Sequence, residues 1–164
     1  MSKKIHNKRI GFHSIESIIK INPHKIKKLF VPHTREDKRI INLTSLAEKN
    51  GIKYQESKKL KQEPEAEILS ENNLSFQDLK IFLEDQSNEK LNLLILDNII
   101  DPRNVGACIR SAAVTNVDAV IINKHHCAPL NDVAHSVSSG GAEYVQIFFV
   151  SNLVNCIKYL KGLN

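Results

Sequence analysis

Paired cysteines are missing from this sequence. It holds three, Cys108, Cys127 and Cys156, an odd number without a Cys-x-x-Cys spacing, which gives neither a disulfide framework nor a zinc-finger pattern. His125, His126 and Cys127 stand side by side, but adjacent positions seldom converge on one ion and no carboxylate cluster joins them, so no metal site is expected. No apolar run approaches the roughly 20 residues of a membrane span. The basic opening Met1-Ser2-Lys3-Lys4 leads into mixed charge and apolar residues instead of a secretory core, so no membrane partner and a cytoplasmic location are expected. Neither Gly-x-Gly-x-x-Gly nor Gly-x-x-x-x-Gly-Lys-[Ser/Thr] occurs, which removes the commonest nucleotide-binding loops. A formal charge of +5 with a pI near 9.1 is compatible with a polyanionic partner without demanding one.

What is present is organised around residues 97–112, a polar loop and helix start with an apolar run on each side. Leu91 to Leu96 is short and charge-free, as in a strand buried on both faces, and Val117 to Ile122 repeats that character one helix-length later. The spacing predicts a β-α-β unit. Asp101 is a suitable N-cap and Pro102 suits the first helical position, after which Val105, Cys108, Ile109, Ala112 and Ala113 share one face. Arg103 and Arg110, seven residues apart, point the same way on the other side, with Asn104 about 120° around from Arg110. Parallel strands bind ligands outside their carboxyl ends, where this loop lies, so these polar groups are candidates for a site; a plain solvated helix face gives the same periodicity.

The segment Asp97-Asn98-Ile99-Ile100-Asp101-Pro102-Arg103-Asn104-Val105-Gly106-Ala107-Cys108-Ile109-Arg110-Ser111-Ala112 fills every fixed position of Asp-x-x-x-Asp-Pro-x-Asn-x-Gly-x-x-x-Arg-[Ser/Thr]-Ala. It resembles the first motif of the SpoU (TrmH-like) RNA ribose 2′-O-methyltransferases. Ser139-Gly140-Gly141-Ala142-Glu143 resembles the Gly-Ala-x-Glu element that follows in that family, and Ile10-Gly11-Phe12-His13-Ser14-Ile15 with Thr34-Arg35-Glu36-Asp37-Lys38-Arg39 resembles the substrate-recruiting domain of members acting on a 23S rRNA guanosine. The resemblance implies transfer of a methyl group from S-adenosylmethionine to a ribose hydroxyl, with 23S rRNA as partner. It also implies that Arg110 and Asn104 are catalytic. An arginine is essentially never deprotonated, so Arg110 would stabilise the developing oxyanion and position phosphate, while Asn104 would hold Arg110 or the target nucleotide.

The amino-terminal part reads as a small α-β-α-β module. Ser14 to Ile21 is a helix with Ser14 as a candidate cap, Ile26 to Val31 a strand, Asp37 to Asn50 a helix with Ile40, Ile41, Leu43, Leu46 and Ala47 inward, and Ile52 to Gln55 a strand after the Gly51 stop. The resemblance implies an L30e-like fold here and RNA contacts from Arg35, Lys38, Arg39, Arg103 and His13. Flexible cations near a polyanion suffice for phosphate contacts, with Lys27 and Lys28 nearby, although a charged helix start is also commonly just solvated and a lone His beside apolar neighbours commonly packs.

From Glu56 to Lys90 the composition turns polar and reads as a linker carrying one surface helix at Phe76 to Leu83. The family's His-Gln-Gly segment and closing strand are not recognisable in it, so the sequence leaves open whether residues 1–69 close their own sheet. The division expected is an L30e-like α/β substrate-binding domain over 1–69, a polar linker over 70–90 and, over 91–164, the amino-terminal half of a SPOUT-type parallel α/β domain. Beyond Ile122, the pattern predicts a helix at Asn131 to Ser138, a strand at Tyr144 to Val150 and a helix at Asn152 to Leu160 capped by Ser151. The family's Gly-x-Glu-x-x-Gly and Ser-Leu-Asn-Val segments, which build its knot and hold S-adenosylmethionine, do not occur in these 164 residues. The expectation is therefore a truncated or frameshifted product with no cofactor-binding residues of its own, no family-type homodimer and an open edge or face. The competing reading is a non-catalytic RNA-binding or partner-binding module.

Overall fold

The computed structural model describes residues 7–69, 73–86 and 90–163. Its first sheet contains β1 (Asn7–Ile10), β2 (Ile26–Pro32), β3 (Tyr54–Ser57) and β4 (Glu65–Ile68) in the order β1-β4-β2-β3. Strand β4 runs antiparallel to both neighbours, while β2 and β3 are parallel. Helices α1 (Phe12–Ile21) and α2 (Lys38–Lys49) cover one face. Between them and the sheet lie Phe12, Ile15, Ile18, Ile19, Leu29, Leu43 and Ala66, all essentially inaccessible. Each large apolar side chain of this set gains about 1.5–3 kcal/mol on burial.

Strand β4 completes the sheet of this module, a point the sequence leaves open. Glu65-Ala66-Glu67-Ile68 alternates, sending Ala66 and Ile68 into the core while the glutamates face outward, and Glu65 meets Lys8 of β1 at 3.2 Å. Gly11, not Ser14, precedes the first helix. Its φ of +95° turns the chain sharply out of β1, its N–H donates to the Pro64 carbonyl, and Ser14 is buried within the helix. Asp37 caps α2 by accepting from the N–H groups of Arg39 and Ile40. Ile41, expected inward, is 55% exposed.

The second sheet consists of β5 (Leu93–Leu96), β6 (Ala119–Asn123) and β7 (Gln146–Val150), parallel throughout and in sequence order. The fold is thus α/β with a parallel second sheet. Helix α4 (Pro102–Val114) crosses one face, contributing Val105, Ile109 and Ala112 to a core with Val120, Ile122 and Ile147. Helix α5 (Asp132–Ser138), capped by Asn131, packs on α4. The opposite face is covered by α3 (Phe76–Asp85) and α6 (Leu153–Lys161), which bury Leu79, Leu83 and Cys156 against Ala119, Ile121 and Phe148.

Three expectations change here. The helix read as a surface feature of a linker is a covering layer, held at its start by a Ser75–Asp78 capping box and with Leu79 fully buried. Both faces of the sheet are covered, so no open face results; β5 is only half-buried and, among the described residues, has no strand on its outer side. Asn152, not Ser151, caps α6. Among the described residues no helix is long and apolar enough to cross a membrane, and no three metal-ligating side chains gather.

Candidate nucleic-acid interface and methyl-acceptor site

The loop after β5 is fixed from both ends. Asp97 accepts a 2.8 Å hydrogen bond from the amide of Asn123, which is buried at the end of β6, and the Ala128 N–H donates to the Ile99 carbonyl. Asn98 turns the chain through a left-handed conformation with φ +58°. Asp101 then accepts from the Arg103 N–H at 2.8 Å, and Pro102 occupies the first helical position without forfeiting a hydrogen bond.

Gly106 explains a further fixed position of the motif. A Cβ there would stand 2.4 Å from the Ala134 carbonyl oxygen and 3.0 Å from the Val137 Cβ, so only a glycine lets α4 and α5 approach this closely. About one turn later the same helix meets a pair of glycines, Gly140 and Gly141. A Cβ on Gly141 would lie 3.1 Å from the Arg110 Cα, and one on Gly140, whose φ is +89°, would collide with the Ser17 hydroxyl and approach the His13 carbonyl. The Gly140-Gly141 turn is therefore where α4 of the second sheet meets α1 of the first.

Arg110 and His13 both stand at that joint. They line a cavity of about 370 Å³ together with Ala113, Val114, Ser138, Ser139, Gly141 and Tyr144. Arg110 is exposed, and no hydrogen bond or ion pair engages its guanidinium among the described residues. A permanently charged fork without an acid partner, in a cavity, suits a phosphate or a developing oxyanion. Asn104 and Arg103 are exposed near the start of α4 and are not in the cavity wall; Asn104 lies about 9 Å back along the axis from Arg110.

His13 is linked to the basic start of α2. The Arg39 guanidinium lies 3.0 Å from its Nε2, which makes that nitrogen the acceptor, and Nδ1 faces Glu16 at 4.0 Å. Arg35 and Arg39 both stack on the buried Phe12 ring, at 4.8 and 4.4 Å from its centroid. Arg35 also donates to the Gln62 carbonyl and bonds Asp37, holding that carboxyl below the usual carboxylate range. Its guanidinium is thus committed to the fold. Lys38 is exposed on the same helix start, whereas Lys27 and Lys28 are exposed on β2.

Sequence reasoning missed the ionic contact that ties the two sheets together. Glu143, in the Gly-Ala-x-Glu segment, lies 3.6 Å from Arg9 of β1 and 3.8 Å from Lys25, with the Glu143 and Arg9 side chains over 90% buried. Beside them, burial and then the charges of Arg9 and Lys25 push the His135 imidazole down to about 3. Asn7-Lys8-Arg9-Ile10 offers no apolar alternation, so nothing in it marked Arg9 as an interior residue.

Two known families match different parts of the chain. The family described as SpoU rRNA Methylase matches residues 92–164, and that described as RNA 2'-O ribose methyltransferase substrate binding matches residues 10–62. The 23S rRNA (guanosine-2'-O-)-methyltransferase RlmB of Acinetobacter baylyi is 34% identical over 93% of this chain and 64% of its own length. Its counterpart from Escherichia coli is 32% identical over 94% of this chain and 67% of its own. The chain thus spans about two thirds of the length of these curated relatives. Among solved structures, an AdoMet-bound rRNA methyltransferase from Sinorhizobium meliloti has a TM-score of 0.64 at 15% identity, covering 96% of this chain and 59% of that one. The SpoU methyltransferase AviRb from Streptomyces viridochromogenes reaches 0.68 at 12% identity, with coverages of 96% and 58%. At these identities the structural likeness is one of fold, and together with the sequence relatives and the filled motif it leads to one conclusion: the chain belongs to the SpoU family of rRNA methylases.

Proposed function

We propose that this chain recruits 23S rRNA and presents a guanosine ribose for 2′-O-methylation. The observation that carries the reading is the cavity at the joint, lined by both Arg110 of the filled motif and His13 of the substrate-binding part. Loss of the ribose hydroxyl proton leaves negative charge on oxygen, and Arg110 supplies a fixed positive charge for it. Arg39, bonded to His13, and the exposed Lys38 extend the positive surface toward a phosphate backbone. Asn104 and Arg103, at the start of the same helix, contact the flanking nucleotide.

In the family the methyl group comes from S-adenosylmethionine. The residues present here do not fit that group. The cavity of about 400 Å³ at the carboxyl ends of β6 and β7 has neither a glycine nor a carboxylate in its wall, and Lys124 gives that wall a positive charge, the sign a sulfonium also carries. The cofactor contacts are accordingly assigned to none of these residues, and the part played by this chain is substrate recruitment and ribose positioning.

Binding of 23S rRNA fragments to the purified chain across a salt series tests the reading. Phosphate-dominated affinity falls steeply as salt rises, and Arg39→Ala and Lys38→Ala each flatten the slope by about one counterion. Salt-independent or absent binding contradicts it. Methyl transfer by the 164-residue chain, abolished in Arg110→Ala, would restore a complete enzyme and overturn the assignment of the cofactor contacts elsewhere.

A further inference from the structure

Aromatic side chains are few in this protein: six Phe, three Tyr and no Trp. Eight of the nine are buried or partly buried. Phe12 lies beneath two guanidinium groups, Phe76 packs edge-on against Tyr159, Phe82 against Phe148, and Tyr54 and Phe149 belong to the two main cores. Tyr144 alone is exposed, at 61%, and its ring makes no aromatic or cation contact among the described residues. An exposed ring with no partner is ordinarily replaced without loss; this one stands in the wall of the cavity that holds Arg110 and His13.

The backbone beneath the ring is fixed. Tyr144 ends the short 3-10 turn of Gly141–Glu143, its N–H donates to the Gly141 carbonyl at 3.0 Å, and the preceding Glu143 is anchored on Arg9 and Lys25. The same Gly141 admits the close approach of the Arg110 backbone, so both residues are carried into one cavity wall by a fixed main chain. Val114, 76% exposed in the same wall, adds an apolar flank. A flat apolar platform beside an arginine in a cavity of about 370 Å³ matches an unstacked nucleotide, whose base needs a π-face while its ribose and phosphate need charge.

We propose that Tyr144 is the stacking platform for the base of the nucleotide whose ribose faces Arg110, so that the cavity accepts an unstacked, single-stranded nucleotide and rejects a paired one. This rests on the RNA-substrate reading above and adds to it a residue outside every motif that led to that reading. The apolar flank is also a shape against which a second copy of the chain would pack, and the test separates that occupant from RNA.

The experiment measures binding of the full chain to a labelled 23S fragment and to the same fragment with an abasic ribose at each guanosine in turn. For one guanosine the abasic fragment binds on the order of 10-fold more weakly, as expected for one lost base–aromatic stack. Tyr144→Phe keeps that ratio; Tyr144→Leu, of similar bulk but without a π-face, brings it to one. If Tyr144→Leu keeps the ratio while Arg110→Ala weakens binding, the platform is refuted and the RNA reading stands. If the wild-type chain binds no fragment, both fail. If sedimentation shows a wild-type dimer that Tyr144→Leu converts to monomer with RNA affinity unchanged, the ring belongs to a self-association face and the proposal is overturned.

Discussion

Replacing Gly106 by alanine inverts the usual effect of a glycine in a helix. Alanine is favoured over glycine in a helix interior by about 1 kcal/mol, so propensity alone predicts stabilisation. The new Cβ, however, stands 2.4 Å from the Ala134 carbonyl oxygen and 3.2 Å from its carbonyl carbon, both backbone atoms of α5 that no rotamer change can move. Helix α5 must shift on α4, at an overpacking cost of about 1–3 kcal/mol and at the upper end where backbone is the obstacle. The net expectation for Gly106→Ala is a loss of about 1–2 kcal/mol. The neighbouring position supplies the control: Ala107 is exposed, so Ala107→Gly loses about 1 kcal/mol from propensity alone and leaves the packing untouched. Urea denaturation measures both, and a fragment-binding assay separates them further, because only Gly106→Ala shifts the α5 end that contributes Ser138 to the Arg110 cavity. A Gly106→Ala protein as stable as the wild type or more so would refute the reasoning, since it would mean that the close approach of α4 and α5 is not needed.

Further outcomes follow from the buried ionic contact, the imidazole and the thiols. Glu143→Gln leaves Arg9 and Lys25 without that carboxylate in a buried setting and is expected to lower stability by about 3 kcal/mol in denaturation, while Glu143→Asp retains part of it. His135 is held near 3, below its ordinary value of about 6.5, so the unfolded chain binds a proton between those values that the folded chain refuses; stability falls as pH drops from about 6.5 toward 3, and His135→Gln flattens that part of the profile in denaturation midpoints. Burial pushes the Cys156 thiol up, so a thiol reagent modifies the partly exposed Cys108 and Cys127 first and reaches Cys156 only as the fold opens; equal rates for all three would contradict the packing of α6.

The half that carries the filled motif was legible because the motif's polar residues and the packing use different residues of one helix. Val105, Ile109 and Ala112 announce a buried stripe, and the capping pair Asp101-Pro102 announces where it begins. The small module was less legible because its sheet has a polar face. Glu65-Ala66-Glu67-Ile68 places only two apolar side chains inward, one of them an alanine, so it reads as linker although it pairs with a strand on each side. Strand β1 is harder still, since tertiary pairing and an ionic contact, not hydrophobicity, hold Arg9 inside. The motif pointed to Asn104 and Arg110 but gave no distance between them and the substrate-binding part. That depended on Gly140 and Gly141, whose sequence signal is only a helix stop, and on Glu143, whose partners are more than a hundred residues away in the chain.

Under the proposed function, Arg110 faces the 2′-oxygen of a 23S rRNA guanosine. A thermodynamic cycle tests it directly: affinity of the wild-type chain and of Arg110→Ala for a 23S fragment carrying either a free or a methylated 2′-oxygen at the guanosine found by the abasic scan. If the account holds, 2′-O-methylation weakens binding to the wild type on the order of 10-fold, about 1.4 kcal/mol, and has no effect on Arg110→Ala, because the group that distinguishes the two oxygens has been removed. The same penalty in both proteins, or none in either, would show that Arg110 does not meet the ribose and would contradict the account.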